Sequence, residues 1–275
     1  MWPANASSSH LITFIAVTLL MSLGLAAFVI ANPNLIGIAS IVYVIPAVTA
    51  MALNMLHHKS AANIYQPAFY GTTRQSVAFA AAYPAAFAIL VAAIALANGT
   101  AVVNSGNFPT VTELLAALVI TLLWMAVAFG EEYGWRGFLL PALAARCGRL
   151  RATIIVGLVW ALYHLPAAYL VNRSSADVWL ICLIQSGLVF VTAFPLSYCY
   201  FQARGSIVGV LLFRSVWDIA QALILGSEGS RVRTFFVGSF TIFGTIPLTL
   251  ALGVLAALAF GWILTKGTGT AKEKA

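Results

Sequence analysis

The sequence predicts an all-α fold, a polytopic membrane bundle of about eight transmembrane helices. Three observations carry that prediction. Of 275 residues, 62% are hydrophobic and 8% charged, where soluble domains carry roughly a quarter charged residues. Mean hydropathy is +0.98. Apolar windows of about 20 residues, the length that crosses a bilayer, recur along the whole chain. That composition excludes a soluble enzyme or a nucleic-acid-binding module.

In chain order the windows place spans at Leu11–Ala31, Leu35–Met55, Val77–Ala97, Val111–Phe129 with an extension to Leu143, Thr153–Val171, Val178–Phe201, Ser206–Leu225 and Phe235–Leu264. The first is expected to be retained rather than cleaved as a leader, because Met1–His10 carries no Lys or Arg and a second apolar run follows closely. Residues 1–275 read as one transmembrane domain. The connections His57–Ser76 and Asn98–Pro109 are polar, and the second, rich in Gly, Asn and Thr, is expected to be a flexible outer loop. The tail Lys266–Ala275 is short and polar.

Orientation follows from Lys and Arg. If the loop after the second span is cytoplasmic, nine lie inside (Lys59, Arg74, Arg146, Arg149, Arg151, Arg204, Lys266, Lys272, Lys274) and three outside (Arg173, Arg231, Arg233). Both termini are then cytoplasmic by the positive-inside rule. The net charge of +7 is a topology signal, facing anionic lipid headgroups rather than nucleic acid. Cys147, Cys182 and Cys199 have no CxxC spacing and read as small apolar fillers. His57 and His58, beside Lys59, read as surface residues.

The ionisable residues left at membrane depth are Glu131, Glu132, Arg136, His164, Arg214 and Asp218. Such residues are costly in lipid and mark function. At ~1.5 Å rise per residue, His164 lies ~17 Å from Thr153, Arg214 and Asp218 lie ~12 and ~18 Å from Ser206, and Glu131 lies ~18 Å back from Leu143. Three helices thus bring their polar residues to one depth. Three acids against two arginines leave a single surplus negative charge, which a protonated His164 or a bound proton cancels.

Residues four apart share a helix face and adjacent ones point about 100° apart. Glu132 is therefore placed to pair with Arg136, while Glu131 points elsewhere and remains available as a general base. A glutamate facing a histidine can polarise a water molecule for attack on a carbonyl without a metal. Gly134, Gly137 and Pro141 predict a kinked or loosened helix here, and Pro166 weakens the next helix beside His164.

The motifs Glu131-Glu132-x-x-x-Arg136, Trp160-x-x-x-His164 and Arg214-x-x-x-Asp218 resemble, in order and spacing, those of the CPBP (ABI) family. That family includes the type II CAAX prenyl proteases and many bacterial intramembrane proteases. The likeness covers about Val111–Leu225. It implies a catalytic set of Glu131, His164, Arg214 and Asp218, with Glu132 and Arg136 as an orienting pair. It also implies a multi-pass protein of a bacterial cytoplasmic membrane, acting on a membrane-associated peptide or protein.

In the third motif the family usually carries a histidine and an asparagine, where this chain has Arg214 and Asp218. An arginine can stabilise an oxyanion. It can equally be neutralised by Asp218, or pair with Glu131 and make it a poor base. An always-protonated arginine also repels a divalent cation, so the expected cofactor is none, with a divalent metal as the weaker alternative. The expected function is an intramembrane endopeptidase of glutamic type. The alternatives are a degenerate member serving as a binding, immunity or scaffold protein, and a small transporter using the same charges as a proton relay.

Overall fold

The chain is seen in a computed structural model that describes residues 6–58, 71–106, 108–226, 235–238 and 245–266. It is a helical bundle. Helix α1 runs Ser8–Ala31 and is followed by a 3-10 segment, Pro33–Tyr43, that leads into α2, Ile45–His58. Then come α3 (Arg74–Ala97) and α4 (Val111–Glu132), which continues through a π-helical stretch, Tyr133–Leu139, into α5 (Leu140–Cys147). Helices α6 (Arg149–Asn172), α7 (Val178–Gln202), α8 (Val208–Ile224) and α9 (Thr245–Lys266) complete it.

Among the described residues, six helices are long and apolar enough to cross a membrane, and seven spans result if the bent pair of 3-10 segment and α2 is one. The expected span Ser206–Leu225 falls on α8, whose 17 residues reach only ~26 Å. The chain is an integral, multi-pass membrane protein, and many of its large apolar side chains, such as Leu115, Leu122 and Leu183, face outward. Helix α6 packs along α7, α3 along α8, α9 along α7 and α4 along α8.

The expected span Leu35–Met55 is not one straight helix: its two halves meet at 51°. The cause is Pro46, which has no N–H to give the Val42 carbonyl four residues earlier. That carbonyl instead accepts the Tyr163 hydroxyl from α6. The break is thereby tied to the turn that carries His164. Helix α6 itself runs through Pro166 without interruption, so the weakening expected there does not become a break.

Two further expectations are revised at the bundle's edge. Part of the loop Asn98–Pro109 is ordered: Ala101–Val103 is a strand, β1, which joins β2 (Leu225–Gly226) and β3 (Phe236–Gly238) in a sheet of order β1-β3-β2. β1 runs antiparallel to β3, and β2 parallel to it. The last span starts at Thr245 rather than Phe235, because Phe236–Gly238 is committed to that pairing.

The sheet marks one face of the bundle. The opposite face gathers Ala6, whose carbonyl accepts from Arg146, with Thr72 bonded to Ser206 at 2.8 Å and the ends of α7 and α9 beside Arg149. Arg74, Arg146, Arg149, Arg151, Arg204 and Lys266 all belong to this second face. Lys59, Lys272, Lys274, Arg231 and Arg233, which also entered the orientation argument, lie outside the described residues, as does the His58 side chain.

Candidate active site

The site is built where α4 passes the break between the 3-10 segment and α2. A Cβ on Gly130 would sit 2.2 Å from the Tyr43 carbonyl oxygen, and one on Gly134 would sit 2.5 Å from Pro46 Cβ. Only glycines allow this backbone approach, and their i, i+4 spacing puts both on one helix face. The adjoining Glu131 and Glu132 are thus pressed inward, and both are buried.

Immediately after them the α-helix widens into the π stretch Tyr133–Leu139, all seven residues of which are buried. Leu140 N–H donates to the Trp135 carbonyl, five residues back. Such π segments recur at functional sites because they re-aim side chains. Gly134 and Gly137 lie within it, so the loosening predicted from the glycines is a change of helical pitch rather than a break.

The two glutamates diverge as their positions on the helix predict. Glu132 accepts from Arg136 Nη1 through both carboxylate oxygens, each at 2.9 Å. The Arg136 guanidinium carbon also lies 4.2 Å from the centre of the Trp160 ring, a cation–π contact in a dry setting. Arg136 Nε and Nη2 have no hydrogen-bond acceptor among the described residues, so this charge is held by one carboxylate and one indole.

Glu131 faces the other way and meets three groups. Its Oε2 accepts from Trp160 Nε1 at 3.1 Å and from Arg214 Nη1 at 3.3 Å. Its Oε1 stands 3.3 Å from His164 Nε2, yet the two are not aligned as a hydrogen bond, and neither atom has another partner among the described residues. His164 Nδ1 lies 3.1 Å from the Trp160 carbonyl oxygen. A carbonyl only accepts, so Nδ1 carries a proton, and Nε2 is the ring atom turned towards Glu131.

Arg214 realises both pairings that its position allowed. Its Nε donates to Asp218 Oδ2 at 3.3 Å, its Nη1 reaches Glu131, and Glu132 Oε1 is 3.9 Å away. A cavity of about 280 Å³ opens beside it, lined by Trp160, Leu188, Val189, Thr192, Arg214, Trp217, Asp218 and Thr249. The Asp218 side chain, 39% exposed, stands on that wetter side. The structure therefore brings all six sequence-selected residues into one cluster.

Three participants were given no role from the sequence, Trp160 entering it only as the first residue of a motif. Trp160 matters through its N–H, which a phenylalanine would lack. Gly130 matters through its approach to Tyr43, for which the Gly130-x-x-x-Gly134 spacing was an available sign. Tyr163 matters through its bond to Val42, which only the tertiary structure reveals.

The donor set is a poor fit for a divalent metal. Among the described residues no group of three or more His, Cys, Asp or Glu side chains is arranged to hold one, and a guanidinium already contacts Glu131. Thiolate ligands are equally remote, since Cys182 and Cys199 are buried, unpaired side chains.

Residues 113–220 match the family model described as Type II CAAX prenyl endopeptidase Rce1-like. The likeness covers 108 of the 275 residues. All six clustered residues fall inside the matched segment. A curated relative, CAAX prenyl protease 2 of Methanococcus maripaludis, is 25% identical over 132 residues, which cover 46% of this chain and 48% of the relative. The chain thus spans about half the length of the curated relative it matches.

Proposed function

We propose that the protein is an intramembrane endopeptidase that hydrolyses a peptide bond of a membrane-associated peptide or protein through water activated by Glu131 and His164. The observation that carries this reading is the facing pair Glu131 Oε1 and His164 Nε2, 3.3 Å apart and otherwise without partners among the described residues. With the ring neutral, these are two neighbouring proton acceptors, which suit a molecule with two O–H bonds. A separation of 3.3 Å leaves no room for water between them, but a water bound alongside both donates to each, and either acceptor can take its proton as the oxygen attacks a carbonyl. The other carboxylate oxygen is occupied by Trp160 and Arg214, which leaves Oε1 as the reactive one.

Arg214 and Asp218 complete the proposal. With Nε and Nη1 engaged, the remaining Nη2 of Arg214 is the group available to a developing oxyanion on the cavity side. Asp218 fixes the guanidinium plane. No metal is invoked, since the cation already at Glu131 opposes a second one. The Rce1-like match supports a CAAX-type protease kind of activity, which makes a prenylated CAAX peptide the first probe.

The test is cleavage by the purified chain in vesicles, of that peptide and of an unprenylated membrane peptide. The proposal expects cleavage that Glu131→Gln abolishes and a divalent-metal chelator leaves unchanged. Cleavage that survives loss of Glu131 rules the mechanism out, and cleavage lost to the chelator rules out its metal-free form.

One observation favours a second reading, a member that binds membrane peptides without cutting them: Arg214 is ion-paired directly to the proposed base. Arg214→His separates the two. If the natural protein is silent and the substitution confers cleavage, the arginine attenuates the site, whereas an active natural protein loses rate on the same change.

A further inference from the structure

Away from the catalytic cluster, a second cavity of about 370 Å³ opens where the start of α6 meets the ends of α7 and α9. It is lined by Arg149, Tyr198, Phe201, Gln202, Ile263, Leu264 and Lys266. We infer that this cavity binds the phosphodiester headgroup of an anionic glycerophospholipid, held by Arg149 and Lys266. The inference does not depend on the protease reading.

The charge pattern is the first support. Arg74, Arg146, Arg149, Arg151, Arg204 and Lys266 share this face, while every described acidic residue lies elsewhere. Glu113 and Asp177 start α4 and α7 at the far face, and Glu131, Glu132 and Asp218 are in the buried cluster. Arg149 and Lys266 have no acidic partner among the described residues, so an outside anion meets uncompensated charge.

The placement of each group is the second support. The Arg149 guanidinium lies over the Phe201 ring at 4.9 Å, and the Lys266 ammonium over the Trp262 ring at 3.5 Å. Each cation is thus held by an aromatic ring at the end of a helix, the level at which aromatic belts and headgroups meet. Trp262 is itself exposed. Tyr198 and Gln202 line the same space and are neutral hydrogen-bonding residues beside the two cations.

Apart from Gln202, the remaining lining is apolar: Phe201, Ile263 and Leu264. A soluble phosphate would leave these side chains idle, whereas a lipid places its phosphate at the cations and its first methylenes along them. Basic pockets between transmembrane helices bind lipid headgroups for this reason, and each Lys or Arg near the surface contributes roughly 1 kcal/mol, about fivefold in affinity. Beside the cavity, Leu150 packs between α6 and α9, its side chain 3.6 Å from where a methyl on Gly261 would stand.

The test is native mass spectrometry of the full chain in detergent, titrated with phosphatidylglycerol or phosphatidylcholine of identical acyl chains. The expected result is retention of phosphatidylglycerol at least about tenfold over phosphatidylcholine, lost in the Arg149→Ala/Lys266→Ala double variant and kept in Arg204→Ala, on the same face outside the cavity. Equal retention of the two lipids overturns the proposal, as does a folded double variant that binds like the parent. Inorganic phosphate that protects against thermal unfolding as strongly as the lipid also overturns it, in favour of a free-anion site. If the double variant loses its helical circular dichroism, Lys266→Ala alone decides: about fivefold weaker phosphatidylglycerol binding supports the site, and no change refutes it.

Discussion

Glu131 and Glu132 are neighbours in sequence and are both buried, yet they belong to opposite sides of one cluster. Glu132 is saturated: both its oxygens accept from Arg136 at 2.9 Å, and neither ion is exposed. Glu131 is half committed, with one oxygen held by Trp160 and Arg214 and the other directed at the Nε2 of His164. A turn of about 100° between adjacent helical residues is enough to separate a structural ion pair from a reactive one. Position on the helix, rather than residue type, assigns the duty of each carboxylate.

The contrast is most exposed to disproof on the Glu131 side. His164→Ala should lower cleavage by roughly 10²–10⁴-fold, the range for loss of a positioned proton acceptor, with the thermal midpoint within a few degrees of the parent. A midpoint that falls as steeply as the rate would make His164 a structural residue and blur the contrast. On the Glu132 side the order reverses. Arg136→Leu strips a buried carboxylate of both its hydrogen bonds, leaving only Arg214 at 3.9 Å, and should cost up to about 3–5 kcal/mol of stability, read as a large drop in the thermal midpoint before any effect on chemistry is scored.

Gly130→Ala addresses both glutamates at once, through the backbone. A methyl placed 2.2 Å from the Tyr43 oxygen forces α4 and the bent pair apart, at a cost of about 1–3 kcal/mol. Because both glutamates move, stability and rate should fall together. Trp160→Phe is the mildest change: it keeps the ring under Arg136 and removes the N–H on Glu131. About tenfold in kcat, about 1.4 kcal/mol, with KM and thermal midpoint nearly unchanged, is the outcome expected for losing one hydrogen bond to a charged group.

The six clustered residues were legible because a chain that is 8% charged has few ionisable groups to choose among, and helical rise alone brings them level. The i, i+4 rule read the Glu132–Arg136 and Arg214–Asp218 pairs directly from spacing. Long-range geometry was not legible in this way. The Val42 carbonyl lost its donor locally, through Pro46, but its new partner Tyr163 is 121 residues away. Likewise β1 becomes a strand only because Phe236–Gly238 arrives beside it, and nothing in Asn98–Pro109 announces that partner. Arg214 was undecidable for a related reason: spacing offered two acids, and the folded cluster gives it both.

The division of labour is tested most directly by the pair Glu131→Gln and Glu132→Gln in vesicles, each measured for cleavage of a membrane-associated peptide and for thermal unfolding. Glu131→Gln should lose cleavage while unfolding at or near the parent temperature, and Glu132→Gln should unfold at a clearly lower temperature. Full cleavage by Glu131→Gln, or two variants indistinguishable in both measurements, would show that the two carboxylates do not divide the work in this way.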